Sequence, residues 1–463
     1  MTDMNSATVT KDKILKGDVL PKYKSYTKNN FRKIPQIQEN FSEEQQFEME
    51  VVAEVLPFKS NNYVVEELIN WENPLKDPIF RLTFPQKEML KPHHFEKMAT
   101  ALKNDATKAE IGEIAKSIRG DLNPHPAGQA DYNVPVLDGK KLTGMQHKYE
   151  QTALFFPKQG QTCHSYCTFC FRWPQFVSTD DLKFASKDID EAIAYFRAHP
   201  ETTDILFTGG DPMVMSGKIF ANYVDSLIEA KIPNLRNIRI GSKSLAYWPY
   251  TFIEPDGEKI LAAFKRAIDN GIHISFMAHF NHSVELSTPA VREAAKRINA
   301  TGARIRTQSP VFKHINDDPV VWANMWKEQV KLGMVPYYMF VARDTGAQHY
   351  FSIPLERAWN IFRSAYQEVS GLARTVRGPS MSCDPGKIQV LGISEINKEK
   401  VFVLRFLQGR NKDWIHRPFF AKYDPDAIWI SDLKPAFGEE KFFYQDELKE
   451  LYDAKKKIVD AAE

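Results

Sequence analysis

Three of the four cysteines lie within eight residues, at Cys163, Cys167 and Cys170, with gaps of three and then two residues. Cysteine thiolates hold iron–sulfur clusters, and a four-iron cluster held by three thiolates keeps one iron open to a small ligand. A structural zinc site would need four ligands, and His164 is poorly placed beside Cys163 to be the fourth. A dithiol formed by Cys167 and Cys170 would leave the third cysteine unexplained. The spacing therefore predicts a [4Fe-4S] cluster.

The same spacing, CxxxCxxC, resembles the signature of the radical S-adenosylmethionine (SAM) superfamily. This resemblance implies that the methionyl end of SAM occupies the open iron. It also implies that SAM is cleaved there to a 5′-deoxyadenosyl radical, which begins the reaction.

Composition predicts a soluble protein of the reducing cytoplasm. The chain has 463 residues, 43% of them hydrophobic, and a formal net charge of only +2, which gives no footprint for nucleic acid. No apolar run is long enough to span a membrane, and the polar beginning of the chain has no signal-peptide core. Four cysteines, three of them clustered, do not form the disulfide framework of a secreted protein.

The chain divides into four predicted segments. Residues 1–120 are expected to form an arm and a helical layer, with helices near 41–58, 91–104 and 107–118 and an extended stretch at Asp77–Pro85. Residues 121–150, rich in Pro, Gly and Asp, are a predicted wrapping linker. Residues 151–390 form the predicted main domain. Residues 391–463 form a predicted C-terminal segment with a strand at 400–406 and a helix near 445–461, and this segment could form a dimer contact.

Strand and helix patterns alternate through the main domain. Strands are predicted at 152–156, 204–208, 237–241, 273–278, 304–309 and 335–341, and helices at 187–198, 217–230, 256–269, 288–300, 318–331 and 355–369. This order is typical of βαβ units and a parallel sheet. The prediction is an α/β fold, a partial (β/α)6 barrel of the radical SAM type with a helical N-terminal layer and a short C-terminal extension.

Chemistry in such barrels gathers where the parallel strands end. The residues that follow the six predicted strands are the cysteine loop, Gly209-Gly210-Asp211, Ser242, His279 with Asn281 and His282, Gln308, and Arg343 with Asp344. The glycine pair could be a plain turn, and the histidines could be hydrogen-bonded structural residues. All six positions fall at the same predicted edge of the sheet, which favours a common site.

The motif order resembles the lysine 2,3-aminomutase family of radical SAM enzymes. The motifs are CxxxCxxC-x-R, GGDP, IRIGSK, HFNH, QSPVFKHIND and VPYY, and the likeness covers roughly residues 77–410. The resemblance implies a radical SAM isomerase, an intramolecular aminotransferase. In that family an amino acid is bound to pyridoxal phosphate (PLP) as an imine, and its nitrogen moves from the α to the β carbon.

The family's roles can be carried onto matching positions of this chain. The resemblance implies that the three clustered cysteines ligate the cluster, that Gly209, Gly210 and Asp211 line the amino group of SAM, and that His279 and Gln308 lie near its adenosyl group. Ser242 and Asn281 are counted with them as cofactor-binding residues. Arg172 matches the family arginine that clamps the substrate carboxylate, although it could be a surface residue.

The PLP site departs from the family pattern. Asp384-Pro385-Gly386-Lys387 keeps the order that precedes the family's PLP lysine but lacks most of its glycines, so Lys387 is either that lysine or a solvated turn residue. Two family arginines that would hold the PLP phosphate correspond to Lys148, which still supplies a charge, and to Thr152, which offers only a hydroxyl.

The residues that would bind the far end of the substrate also depart from the family pattern. Lysine-specific members use two aspartates to hold the remote ammonium of the substrate. The first aligns with Arg343, and Asp344 is the next residue; the second aligns with Asp384. If Arg343 points inward, its cation would attract a carboxylate, and an acidic substrate such as glutamate is expected. If Asp344 points inward instead, lysine is expected.

Other predictions complete this interpretation. No zinc is expected, Cys383 is predicted to be a packed residue, and His93-His94 a surface pair rather than a metal site. The predicted partners are an amino acid, an electron donor such as flavodoxin or ferredoxin, and a second copy of the chain, without nucleic acid or membrane. A PLP-independent radical SAM enzyme and a non-catalytic iron–sulfur protein remain alternatives.

Overall fold

The structure is a computed structural model that describes residues 20–123, 132–177, 185–186 and 188–460. Its N-terminal layer contains a two-stranded sheet and five helices: β1 (Ser25–Thr27), β2 (Lys59–Asn61), α1 (Pro35–Asn40), α2 (Glu43–Val55), α3 (Pro78–Thr83), α4 (Pro92–Lys103) and α5 (Lys108–Asp121). Capping boxes at Ser42 and Thr107 begin α2 and α5. The helices predicted in this layer are therefore confirmed.

The prediction of an extended stretch at Asp77–Pro85 was wrong, because α3 occupies most of it. The Asp77 carboxylate accepts a hydrogen bond of 2.7 Å from the Phe80 backbone N–H and thereby caps the helix. Pro78 stands at the first helical position, where the missing N–H costs nothing. The two prolines frame a short helix rather than a strand.

One mixed sheet of eleven strands organises the rest of the chain. Its strands are β5 (Met145–Tyr149), β6 (Thr152–Phe155), β7 (Asp204–Phe207), β8 (Asn237–Ser242), β9 (His273–His279), β10 (Arg304–Val311), β11 (Val335–Val341), β12 (Arg377–Ser382), β13 (Gly386–Ile396), β14 (Glu399–Gly409) and β15 (Pro418–Lys422). Strands β6 to β12 run parallel, while β5 and β13 to β15 pair antiparallel at the two ends. The chain thus has a mixed α/β fold. A short hairpin, β3 (Val136–Leu137) with β4 (Lys140–Lys141), precedes the sheet.

Helices connect the parallel strands. They are α6 (Ile189–Ala198), α7 (Gly217–Glu229), α8 (Ser244–Tyr247), α9 (Gly257–Asp269), α10 (Pro289–Ala300), α11 (Pro319–Lys331), α12 (Gln348–Phe351) and α13 (Leu355–Gln367), and α14 (Gln445–Asp460) follows the last strand. The predicted strands and helices of the main domain are confirmed. The sheet also crosses two expected segment boundaries, since β5 lies within 121–150 and β13 spans residue 390.

The sheet is strongly curved. Lys148 on β5 donates a hydrogen bond of 2.5 Å to the backbone oxygen of Cys383, in the turn between β12 and β13. Seven strand spacings separate β5 from β12 in the sheet order, which would be roughly 34 Å in a flat sheet. Only a sheet that bends back on itself brings these two strands into contact.

Apolar packing fixes the helices against the sheet. For example, α9 buries Ile260, Phe264 and Ala267, and α10 buries Val291 and Ile298. A second buried cluster surrounds β13 to β15 and includes Phe406 and Trp414. Within the described part of the chain, none of the helices has both the length and the apolar character needed to cross a bilayer.

Candidate active site

The cysteine loop follows β6, and the N-terminal layer holds its backbone. The Tyr166 N–H donates to the Lys59 carbonyl at 2.8 Å, and the Thr168 N–H donates to the Leu82 carbonyl at 3.0 Å. In return, Lys59 Nζ donates to the Cys163 carbonyl at 2.8 Å. The side chain of Asn61 donates to the carbonyls of His164 and Tyr247. The loop is thus fixed by residues about a hundred positions earlier in the chain.

The three cysteines are half-buried and lie near one another. Burial raises the pKa of Cys167 to about 12 and that of Cys170 to about 11, and burial together with Asp211 and the neighbouring thiols raises the pKa of Cys163 well above its usual value. Thiolates are the ligating form, so metal binding here would release protons. The buried Tyr247 hydroxyl lies beside Cys167, where it could donate to a ligating sulfur.

This donor set fits an iron–sulfur cluster better than a single ion. In the described residues, no three His, Cys, Asp or Glu side chains converge closely enough to hold one metal ion. In a four-iron cluster each thiolate binds a different iron, so the sulfurs stand farther apart than the ligands of one ion do. Three mutually close cysteines on one loop meet that requirement.

The glycine pair after β7 packs against the segment that leads into the cysteine loop. A Cβ on Gly209, where φ is +140°, would lie 2.3 Å from the Gln161 side chain, and a Cβ on Gly210 would lie 2.4 Å from the Thr162 carbonyl oxygen. The Asp211 N–H donates to that same oxygen at 2.7 Å. The close approach of the two loops accounts for both glycines, while their contact with SAM stays a prediction.

Asp211 ties the ends of β7 and β8 together. Its buried carboxylate accepts hydrogen bonds from the backbone N–H groups of Met213 and Lys243 and from the hydroxyls of Ser242 and Ser244, at 2.8–3.0 Å. Burial raises its pKa, and the four donors oppose that shift. Asp211 and Ser242 are therefore engaged by protein groups.

Asn281 belongs to a second internal network. Its Oδ1 accepts from Lys243 Nζ at 2.9 Å, and its Nδ2 donates to Ser309 Oγ at 3.0 Å. Lys243 also forms a buried ion pair of 2.7 Å with Glu285. His282, an alternative that the sequence left open, caps the following turn through Nδ1. The predicted cofactor role of Asn281 is thus indirect at most in this arrangement.

His279 and Gln308 are placed differently. They are register partners on β9 and β10 and so lie side by side. Burial, followed by the charge of Lys243, lowers the pKa of His279 well below its usual value, so the ring is neutral. Among the described residues, neither side chain has a hydrogen-bond partner. Both are free to meet a ligand at the carboxyl ends of these strands.

Arg172 and Arg343 lie beside the same aromatic ring. The Phe171 ring centroid is 5.2 Å from the Arg172 guanidinium carbon and 5.0 Å from that of Arg343. Arg172 Nη1 and Arg343 Nε are buried and have no hydrogen-bond partner in the described structure. Burial lowers the pKa of Arg172 to about 10, and Arg343 adds to this shift. Unpaired buried guanidinium donors indicate an anion site.

Lys387 follows the hairpin turn at the start of β13 and lies among aromatic rings. Its Nζ is 4.6 Å from the Tyr338 ring centroid and 5.6 Å from that of Tyr149, and it donates to Gln408 Oε1 at 2.7 Å. Burial, together with the charges of Arg239, Arg377 and Lys148, lowers its pKa to about 7. A sizeable share of the amine is therefore neutral and nucleophilic at neutral pH.

The residues near this lysine suit a phosphate-bearing cofactor. Arg377 Nη2 is buried and has no partner among the described groups, and its guanidinium carbon lies 4.4 Å from the Tyr338 ring. Arg239 is close to Lys387 but is paired with Asp204. Thr152, which replaces a family arginine, is buried in register with Asp204 and supplies no charge. Arg377 is the open cation of this group.

Each predicted substrate aspartate lies beside an arginine. Asp384 Oδ1 accepts from Arg410 Nη2 at 3.1 Å, and its Oδ2 accepts from the Tyr452 hydroxyl on α14. Asp344 Oδ1 lies 3.9 Å from Arg343 Nε, too far for a hydrogen bond. Burial lowers the pKa of Lys148 to about 7, with Arg410 and Arg343 adding to the shift. Arg343 therefore lies in the site, within reach of Lys148.

Two smaller predictions have different outcomes. Cys383 is buried and donates to the Gly386 carbonyl at 3.3 Å, as expected of a packed residue. The expectation of a surface His93-His94 pair was wrong for His94, which is only 4% exposed and has Nε2 3.1 Å from Asp121 Oδ2. His93 is exposed.

Sequence reasoning missed several residues of the site. Arg377, Gln408, Arg410 and Tyr452 reach it from β12, β14 and α14, and Lys59 reaches it from the N-terminal layer. No motif marks them, because their roles arise from contacts between distant parts of the chain. The one feature of the sequence that could have indicated such a role was the position of Arg410 after a predicted strand.

Known proteins resemble this chain over much of its length. No family model matches it. A protein of Aquifex aeolicus (strain VF5), provisionally named as an L-lysine 2,3-aminomutase, is 33% identical over 406 residues, which are 87% of this chain and 94% of that protein. The L-lysine 2,3-aminomutase of Escherichia coli (strain K12) is 28% identical over 242 residues, 51% of this chain and 67% of that protein.

Two further comparisons are weaker. The match to the L-lysine 2,3-aminomutase of Bacillus subtilis (strain 168) is 27% identical and spans 50% of this chain and 46% of that protein, less than half of its length. The crystal structure of Streptococcus suis SuiB matches with a TM-score of 0.32 and 11% identity, covering 60% of this chain and 59% of that one, which is too little to assign a fold. The near full-length match to the Aquifex protein decides the family: the chain belongs to the lysine 2,3-aminomutase family.

Proposed function

We propose that the protein is a radical SAM 2,3-aminomutase, an isomerase that moves the amino group of an amino acid from the α to the β carbon. One observation carries the proposal beyond family membership. An uninterrupted series of neighbouring cations runs from Arg172, beside Cys170, through Arg343 and Lys148 to Lys387. This series supports the proposal that the cluster loop and Lys387 belong to one site.

The fold proposed for this site is a partial (β/α)6 barrel. Its support is the contact between Lys148 on β5 and the turn after β12, which requires a strongly bent sheet. Helices cover the outer face, and the cations, aromatic rings and carboxyl ends of the parallel strands face the interior. In such an arrangement reactive groups are shielded from water.

In this proposal Cys163, Cys167 and Cys170 hold a [4Fe-4S] cluster, and SAM binds at its open iron. When reduced, this pair supplies a 5′-deoxyadenosyl radical that removes a β-hydrogen from the substrate. His279 and Gln308, unpaired and adjacent, are placed to meet the adenosyl group. Asp211 positions the two neighbouring turns instead of touching the ligand, since four protein donors occupy its carboxylate.

Lys387 is proposed to hold PLP, which when bound keeps the migrating nitrogen as an imine. The lowered pKa of Lys387 provides the neutral amine that attachment needs. Tyr338 and Tyr149 give flat surfaces on either side, and Arg377 offers an unpaired cation for the phosphate. Arg172 fixes the α-carboxylate through its buried Nη1.

A second candidate, a radical SAM enzyme without PLP, is favoured by one observation. Thr152 supplies no charge where family members have an arginine, so the phosphate would lack that contact. Lys387 and Arg377 weigh against this candidate. Lysine and glutamate are the candidate substrates of the favoured function.

The proposal includes partners and location. A low-potential electron donor such as flavodoxin or ferredoxin is needed to reduce the cluster, and a cytoplasmic setting suits such a donor. Self-association is proposed on the family resemblance, with the C-terminal segment as the contact. Analytical ultracentrifugation of the full chain tests it, and a monomer at all concentrations would contradict it.

The test of the function is a cofactor count on protein reconstituted without oxygen. We expect about four irons per chain and one PLP with the visible absorbance of a lysine-bound form. Lys387→Ala should lose that absorbance and keep the iron. Lys400→Ala is the matched control, because Lys400 also lies over a tyrosine, Tyr423, but is exposed outside the site. Full iron with no PLP would exclude the favoured function and leave the second candidate.

A further inference from the structure

A substrate that ends in an ammonium needs an open carboxylate, and both candidate aspartates of this site lie beside an arginine. Asp344 Oδ1 is 3.9 Å from Arg343 Nε. Asp384 is the aspartate best placed for that task, yet both of its oxygens are engaged, by Arg410 and by the Tyr452 hydroxyl. Arg410 is further held by Asn133 at 2.9 Å and by the Asp384 carbonyl at 2.9 Å. An entering ammonium would have to displace a buried guanidinium that donates three hydrogen bonds.

Cations with unused donors occupy this end instead. Arg343 Nε is buried without a hydrogen-bond partner among the described groups, and the side chain is 22% exposed. Lys148 Nζ has one hydrogen bond there, to the Cys383 carbonyl at 2.5 Å. The two cations are close enough that Arg343 lowers the pKa of Lys148. A second ammonium would meet two like charges, whereas a carboxylate would meet donors on both.

The two arginines are spaced for a short substrate with two carboxylates. Arg172 and Arg343 lie against the same ring, Phe171, and each has a buried unpaired nitrogen. Arg172 adjoins the cluster loop, and Arg343 adjoins Lys148. Both guanidinium carbons lie near one ring centroid and are at most about 10 Å apart, so one short amino acid with two carboxylates can place one on each guanidinium.

We propose that the substrate is a dicarboxylic amino acid, of the glutamate or aspartate class. Arg172 binds its α-carboxylate, and Arg343 with Lys148 binds its side-chain carboxylate. Arg410 and Tyr452 are specificity residues, because they occupy the carboxylate of Asp384. This inference rests on the proposed function for the chemistry that follows binding, but the binding itself can be measured separately.

The test is equilibrium binding of radiolabelled L-glutamate and L-lysine to the full chain, reconstituted without oxygen and assayed with and without PLP. We expect glutamate to bind at least tenfold more tightly than lysine. Arg343→Met should weaken glutamate binding by about tenfold to a hundredfold, since a charged hydrogen bond is lost. Arg343→Lys should retain part of the affinity. Arg417→Met, which removes an exposed arginine lying 4.0 Å from the Phe443 ring, should change nothing.

Three results would overturn the inference: tighter binding of lysine, binding of neither amino acid at millimolar concentration, or glutamate binding that Arg343→Met leaves unchanged. If Arg343→Met does not fold, the comparison of the two amino acids on the unaltered chain and on Arg343→Lys still decides. The proposed function can be rejected by a different result from the ones that reject this inference. Glutamate binding that depends on Arg343, in a chain that takes up no PLP, would reject the PLP mechanism and keep the anionic ligand.

Discussion

Lys387 shows how surroundings change the chemistry of a single residue. A lysine in water is almost fully protonated at neutral pH, but burial and the nearby charges of Arg239, Arg377 and Lys148 lower the pKa of Lys387 to about 7. Its aromatic neighbours supply flat apolar walls and no counter-charge. The residue is thereby prepared to attack a carbonyl, which a solvated lysine is not.

The first prediction concerns the pH dependence of PLP attachment. Only the neutral amine reacts, so attachment should rise as pH increases through about 7 and then level off, whereas an ordinary lysine would continue to gain reactivity up to about pH 10. Arg377→Met removes a positive charge, so it should raise the pKa of Lys387 and move the midpoint to higher pH. Absorbance of the lysine-bound form measures this.

The control for that prediction is Arg363→Met, since Arg363 is an exposed arginine near the Trp359 ring and away from Lys387. It should leave the midpoint where it is in the unaltered chain. A midpoint above pH 9 in the unaltered chain would refute the account of Lys387.

At the scale of elements, Asp211 joins two turns of the sheet. A second prediction follows: Asp211→Asn places an amide donor against groups that donate to the carboxylate, so the free energy of unfolding should fall by about 3 kcal/mol. Urea unfolding measures the change. Asp188→Asn is the control, because Asp188 caps α6 at the surface and asparagine caps equally well. Equal effects from both would show that the Asp211 network does not hold the turns.

The N-terminal layer is the other element that shapes the site. Asn61→Ala removes the donors to the His164 and Tyr247 carbonyls, so we expect a loss of about 1–3 kcal/mol in stability and fewer irons retained per chain. Asn40→Ala, which removes an exposed hydrogen bond to Gln36, serves as the control. Full iron retention in Asn61→Ala would mean that the layer does not support the cysteine loop.

The secondary-structure elements show where prediction from the sequence succeeded and where it failed. The alternation of strands and helices placed His279, Gln308 and Arg343 at the same edge, because parallel strands end together. Asp77–Pro85 was mistaken for an extended stretch because prolines end strands and also begin helices, and only the Asp77 cap distinguishes the two cases. The pairing of Asp384 with Tyr452 could not be predicted, since it joins residues 68 positions apart without any motif.

For the whole molecule, the bend of the sheet decides which distant segments meet. It brings β5 to the turn after β12, and α14 then closes the same region through Tyr452, whose ring stacks on Tyr132 at 4.1 Å between centroids. The substrate end is thus assembled from the linker, the sheet and the last helix. Its charge depends on all three.

A prediction at this scale is a change of substrate preference. Arg410→Met combined with Tyr452→Phe should free the Asp384 carboxylate, so lysine binding should strengthen relative to glutamate by about tenfold. Competition between the two labelled amino acids measures the ratio, and Arg417→Met again provides the control. An unchanged ratio would show that Asp384 does not face the substrate.

The most direct test of the central claim is product analysis. The fully reconstituted chain would be incubated without oxygen with SAM, a chemical reductant and L-glutamate, and the amino acids would be separated and identified against authentic standards by retention and fragmentation pattern. The account predicts 3-aminoglutarate, absent in Lys387→Ala and formed with SAM largely recovered. Full iron and PLP contents with no 3-amino product from either glutamate or lysine would contradict it.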